Sequence, residues 1–198
     1  MSASVVAILF AAAISPGPNN IVVMNAAARS RLAAAAAPIA GIVLGTLTLV
    51  LAVRFGVDAV LDRWVHGRLA MRLLGASLIV YLAVRIVAGG WHHTEEATGS
   101  SRAEGKLFTA MLAFQILNPK TWVLALTVSS AHAGVEDASV PGLITAVLIV
   151  PSLCLLLWAM AGRVLQPFMA QTAFRRIFVS VMGVVLAMFA AILALDVI

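Results

Sequence analysis

Six apolar stretches, each 15 to 22 residues long, leave this 198-residue chain few places to fold other than a membrane. They cover residues 4–24, 33–53, 73–87, 107–128, 140–161 and 177–198. A helix needs about 20 such residues to cross the hydrocarbon core of a bilayer. Only 11% of the chain is charged and 63% is apolar, against about 25% and about 45–50% in soluble domains. The expectation is an all-α integral membrane protein, one domain over residues 1–198, with the lipid bilayer as its solvent. The net charge of +5 does not point to nucleic acid, because the arginines fall between the apolar blocks, as in cytoplasmic loops. Cys154 is the only cysteine, so an intrachain disulfide or a Cys-x-x-Cys redox pair cannot form. The N-terminus lacks a basic region and its apolar run leads into Pro-Gly-Pro, which favours a retained first helix over a cleaved signal.

Two of the blocks contain residues that a spanning helix resists. In the first, Ser15-Pro16-Gly17-Pro18-Asn19-Asn20 interrupts the apolar run. Each proline lacks an N–H and clashes with the carbonyl four residues back. The backbone groups freed in this way need partners that lipid cannot supply, so such a break belongs against protein or beside a wet cavity. The fourth block carries Gln115 and then Asn118-Pro119-Lys120. A lysine at the centre of a span costs about 2.5–3.5 kcal/mol on insertion scales. Lys120 is therefore expected to face a polar cavity or to pair with a carboxylate, the protein's own or a substrate's. The alternative is a re-entrant break that brings it near one surface.

The other features have plainer readings. Gly41 and Gly45 mark one helix face as a place of close backbone approach, within the chain or in a homodimer. Thr46 and Thr48 are satisfied by bonds to nearby carbonyls, and Pro151 predicts a kink in the fifth helix. Asp58, Asp62 and His66 lie in a charge-paired interfacial stretch. The neighbouring His92 and His93 point in different directions and make a poor metal site alone. No metal and no cofactor is expected.

The polar stretch 89–106 reads as a connecting loop between two halves of three blocks, 1–88 and 107–198. Pro16 and Pro119 each sit late in the first block of a half. An odd number of spans inverts the second half relative to the first, so the fold expected is two inverted three-helix repeats with broken first and fourth helices. The sequences around the two breaks are not alike. With the N-terminus outside, Arg29, Arg31, Arg85, Arg102, Lys106, Arg163, Arg175 and Arg176 fall inside, and Arg54, Arg63, Arg68 and Arg72 outside. The positive-inside bias thus favours both termini outside, provided that the short third block spans.

Together, Ser15-Pro16-Gly17-Pro18-Asn19-Asn20 late in the first block and Asn118-Pro119-Lys120 in the fourth resemble the lysine exporter (LysE/RhtB) family of bacterial amino-acid efflux proteins. The resemblance extends to chain length, six apolar segments and a polar central loop. It implies a multi-pass protein of the bacterial inner membrane that exports an amino acid or close analogue, driven by proton-motive force or exchange. Many members have Asp where this chain has Asn19, while others have Asn, so no proton-coupling residue is assigned. The loop histidines do not form the His-rich tract of some related metal exporters.

The substrate pathway expected from these residues is an alternating-access site between the two breaks. Half-helix N-termini and Lys120 would meet a substrate carboxylate, with Asn19, Asn20, Gln115 and Asn118 as neutral partners. A divalent-metal exporter and a non-transporting assembly subunit are the alternatives. Enzyme activity is not expected: hydrolase chemistry needs a serine with a base, and none of the six blocks contains a histidine.

Overall fold

The computed structural model describes residues 3–56, 73, 76, 77, 79–81, 83, 84, 86–88, 101–133 and 139–194. All regular structure in them is helical. Helix α1 (Ala3–Ile14) stops ahead of Pro16, and α2 (Pro18–Arg29) starts on Pro18 at a bend of 59°. Proline suits the first turn of a helix, where its missing N–H is not needed. A 3₁₀ turn (Leu32–Ala35) leads into α3 (Ala36–Arg54). In the second half, α4 (Ser101–Leu117) and α5 (Pro119–Ala133) repeat the motif, their axes bent by 66°. Helix α6 (Val140–Met169) and α7 (Thr172–Ala194) complete the order.

Among the described residues three helices are long and apolar enough to cross a membrane, and up to five spans result if each bent pair counts as one. The described residues of the third block are helical, and Ala76, Ile79, Ala83 and Ile86 among them are buried at helical spacing. They face α7, where Gly183 touches the Val87 side chain. Outward faces remain apolar, with Phe10, Leu44, Leu153, Leu157, Val164, Val184 and Met188 exposed. That inside-out pattern suits a lipid surround, since in water an apolar patch so large marks an interface.

Several boundaries differ from expectation. Residues 101–106, expected in the connecting loop, are helical and open α4. Helix α6 continues eight residues past 161, so Arg163 lies on a helix, and only Ala170 and Gln171 separate α6 from α7. Gly162 explains the extension, because it seats α6 against the Met24 backbone of α2, an approach only a residue without Cβ allows. Arg175 and Arg176 lie near the start of α7 rather than in a loop, and Arg175 donates from Nη1 to the Met169 carbonyl at 3.2 Å. Pro151 sits inside the continuous α6. Asp58, Asp62, His66, His92 and His93 lie outside the described residues.

Packing crosses between the halves. Helix α3 lies against α4 and α5, whereas α6 lies against α1 and α2. Gly41 is seated on the Phe108 carbonyl, and a Cβ on Gly45 would come within 2.7 Å of the Leu112 carbonyl and of Gln115 Cγ. The glycine face is thus filled by α4 of the same chain. Two apolar clusters result. One joins Ile21–Val23 and Ala27 of α2, Ile42 of α3, Phe114 of α4 and Leu155 of α6 to α7 and the third block. The other joins Val5 and Leu9 of α1, Leu49 and Val50 of α3, Val128 of α5 and Val147 of α6.

Candidate functional site

The polar residues of both breaks lie between these clusters. Along α3 the order is Ile42 in the first cluster, then Thr46, then Leu49 in the second; along α6 it is Leu155, Pro151, Val147. A cavity of about 40 Å³ opens there, lined by Ala12, Ala13, Gly17, Pro18, Asn19, Asn20, Ile42, Thr46, Asn118, Lys120, Thr121, Leu124, Pro151 and Leu155. This is room for water-sized occupants.

Each break settles its freed backbone in its own way. At the first, Asn20 Nδ2 donates to the Ala13 and Ser15 carbonyls at 3.1 and 2.8 Å, and Trp158 Nε1 donates to the Ile14 carbonyl at 3.2 Å. At the second, Asn118 Oδ1 caps α5 by accepting from the Lys120 N–H at 3.1 Å, and Trp122 Nε1 donates to the Ile116 carbonyl at 2.7 Å. An N-cap of this kind satisfies one of the orphan donors that every helix start leaves.

Two ties then join the breaks. Asn19 and Gln115 exchange amide bonds of 3.0 and 3.1 Å. Gln115 also donates to the Met111 carbonyl and accepts from Thr121 Oγ1, both at 2.9 Å. Its fully buried amide is therefore satisfied on both atoms. The second tie is Lys120 Nζ, which donates to Ser15 Oγ at 2.9 Å and to the Ser15 carbonyl at 3.1 Å. A Cβ on Gly17 would stand 3.2 Å from that ammonium, so the glycine makes its room. The only acid among the described residues is Glu104 on α4, and Lys120 is held by neutral oxygens.

The structure thus gathers Ser15, Gly17, Pro18, Asn19, Asn20, Gln115, Asn118 and Lys120 into one region, with Pro16 and Pro119 as the backbone interruptions. Gln115 stands behind the cavity wall as a support. Of the lining residues not expected from sequence, Thr46, Pro151 and Thr121 bear most on the chemistry. Thr46 and Pro151 were given local explanations, although a proline at mid-span already signalled a carbonyl without its helical donor. Thr121 had only its position beside Lys120 to mark it. His132, placed in a loop from sequence, lies buried on the last turn of α5, and its Nε2 has no hydrogen-bond partner among the described residues. Nothing breaks the helix before Gly134. The premise that no histidine lies on a span is corrected at this residue. Ser129, one turn earlier, donates to the Val50 carbonyl at 3.4 Å rather than to the imidazole.

An all-helical membrane chain whose two broken spans meet at a small cavity lined in part by amide, hydroxyl and ammonium groups has the build of a transport protein. A family model of LysE type translocators matches residues 10–197, and the chain belongs to that family. No curated protein and no solved structure matches it.

Proposed function

We propose that this protein is a secondary-active exporter that carries an amino acid or close analogue out of the cytoplasm by alternating access. The observation that carries the reading is Lys120, a cation between two apolar clusters, at the meeting point of both broken helices. A substrate carboxylate is the natural partner for an ammonium that, among the described residues, has only neutral oxygens around it. The N-termini of α2 and α5, positive ends of half-helices, open at the same place. Amides and hydroxyls from Asn19, Asn20, Thr46 and Thr121 complete the lining. An ammonium in the cavity opposes a divalent cation, so the metal-export alternative has the weaker chemistry.

The reading places the protein in the bacterial inner membrane with both termini outside. Arg29, Arg31, Lys106, Arg175 and Arg176 fall toward the end of the bundle that holds the first cluster, while Arg54 and the start of α1 lie toward the other. Under the positive-inside bias the first end is cytoplasmic. Opening would proceed by rocking of one half on the other, with proton-motive force or exchange as the driving force.

Efflux of a mixed amino-acid pool from preloaded cells, with and without the protein, tests the proposal. Selective loss of one or a few amino acids, abolished by Lys120→Met at equal membrane abundance, is the expected result. If no amino acid leaves although the protein is in the membrane, the reading is wrong.

A further inference from the structure

Ser15 stands in an unusual relation to Lys120. It offers the ammonium two oxygens from one residue, Oγ at 2.9 Å and the carbonyl at 3.1 Å, as the two oxygens of a carboxylate would. The same carbonyl accepts from Asn20 Nδ2 at 2.8 Å. Lys120 and Asn20 line the cavity, and Ser15 does not. Two cavity donors are thus turned onto oxygens in the protein's own backbone break. An ammonium has three N–H groups, of which Ser15 takes two.

We infer that Ser15 competes with the substrate's carboxylate for Lys120, and thereby sets the affinity for substrate. The inference rests on the reading of this cavity as the transport site. Entry of a carboxylate draws the ammonium away from Ser15 on its flexible four-carbon stem. The affinity observed is the difference between the two sets of bonds, because a ligand gains only what exceeds the contacts it displaces. Removing the Ser15 hydroxyl, which also donates to the Ala12 carbonyl at 3.0 Å, leaves the Ser15 carbonyl as the competitor described for the ammonium. Loss of an acceptor from the site should then strengthen binding, the reverse of what an ordinary binding residue or a structural residue would show.

The test is titration of the purified full-length protein with each of the twenty common amino acids, read as thermal stabilisation. Carboxamides of those that bind, which lack the carboxylate, serve as controls. The expected result is binding of at least one amino acid but not its carboxamide. Ser15→Ala should lower the half-saturating concentration by about tenfold, the order of one hydrogen bond to a charged group. Ser15→Gly, a second variant without the hydroxyl, should act in the same direction, and Ser15→Thr should restore the original value. In thermal unfolding without added ligand, Ser15→Ala and Lys120→Met should be non-additive, as the two partners of one bond are. Binding to the unaltered protein with equal or weaker binding to Ser15→Ala would overturn this inference alone, as would equal binding of the carboxamide. If no amino acid binds the unaltered protein, the transport reading falls and takes the inference with it.

Discussion

The two helix breaks occupy corresponding places in the chain and share little sequence. The first, at Ser15–Pro18, presents the Ala13, Ile14 and Ser15 carbonyls, which accept from the side chains of Asn20, Trp158 and Lys120. The second, at Asn118–Pro119, caps itself through Asn118 and projects donors from Lys120 and Thr121. In the Lys120 tie the first break supplies the acceptors and the second the donor, whereas the Asn19 and Gln115 amides give one bond each way. Copies of either would leave buried polar groups unpaired, at about 1–3 kcal/mol each. Their unlikeness is the condition for their pairing, and it explains why two breaks that meet are so little alike in sequence. The one shared device is an indole N–H on the last carbonyls of the first half-helix, Trp158 at one break and Trp122 at the other.

The largest effect should come from taking the donor away. Lys120→Met is expected to reduce flux by about a hundredfold, the scale of charge-assisted hydrogen bonds, while membrane abundance holds, because the substitution removes a charge costly to insert. Transport in proteoliposomes, normalised to folded protein, measures it; a loss of abundance in step with flux would make Lys120 structural and dissolve the contrast between the breaks. Gln115→Leu comes next, at about 2–4 kcal/mol of stability, since Asn19 and Thr121 both lose a buried partner. Adding Asn19→Leu should recover part of that loss, and strict additivity of the two substitutions in thermal unfolding would mean that the amide exchange carries no coupling. Gly45→Ala forces a Cβ against Leu112 and Gln115 and should cost about 1–3 kcal/mol, again by thermal unfolding. The smallest effect compares the indoles. Trp158→Phe should cost about 1 kcal/mol in the same measurement and Trp122→Phe less, because the bond of Trp122 is exposed and that of Trp158 partly buried; the reverse order would argue that the second break is the more dependent on outside donors.

Much of this was readable in advance, and for a definite reason. Prolines and a lysine inside apolar runs violate the rules of a spanning helix so strongly that their places survive without knowledge of packing. Pairings did not survive in the same way. Nothing in the sequence says that Asn19 meets Gln115, 96 positions away, or that Ser15 rather than a carboxylate holds Lys120. Those facts depend on how α3 and α6 cross between the halves. Local rules also assigned Thr46 a backbone bond and Pro151 a kink, and were silent on the cavity that both line. The end of α5 at Ala133 and the start of α4 at Ser101 were missed because polar residues mark a loop only where no helix face receives them.

The crossed packing has a consequence for biosynthesis. Helices α1 and α2 emerge from the ribosome first, yet the helix that covers them is α6, and the indole that meets the Ile14 carbonyl belongs to Trp158. At roughly 5–20 residues per second, the intervening chain takes on the order of ten seconds to make. For that interval the first break sits in or beside the bilayer with a carbonyl its own neighbours do not serve. Water or the insertion machinery has to shelter it until the second half arrives, so the nascent chain passes through its most vulnerable stage when the first half has been made and the second has not.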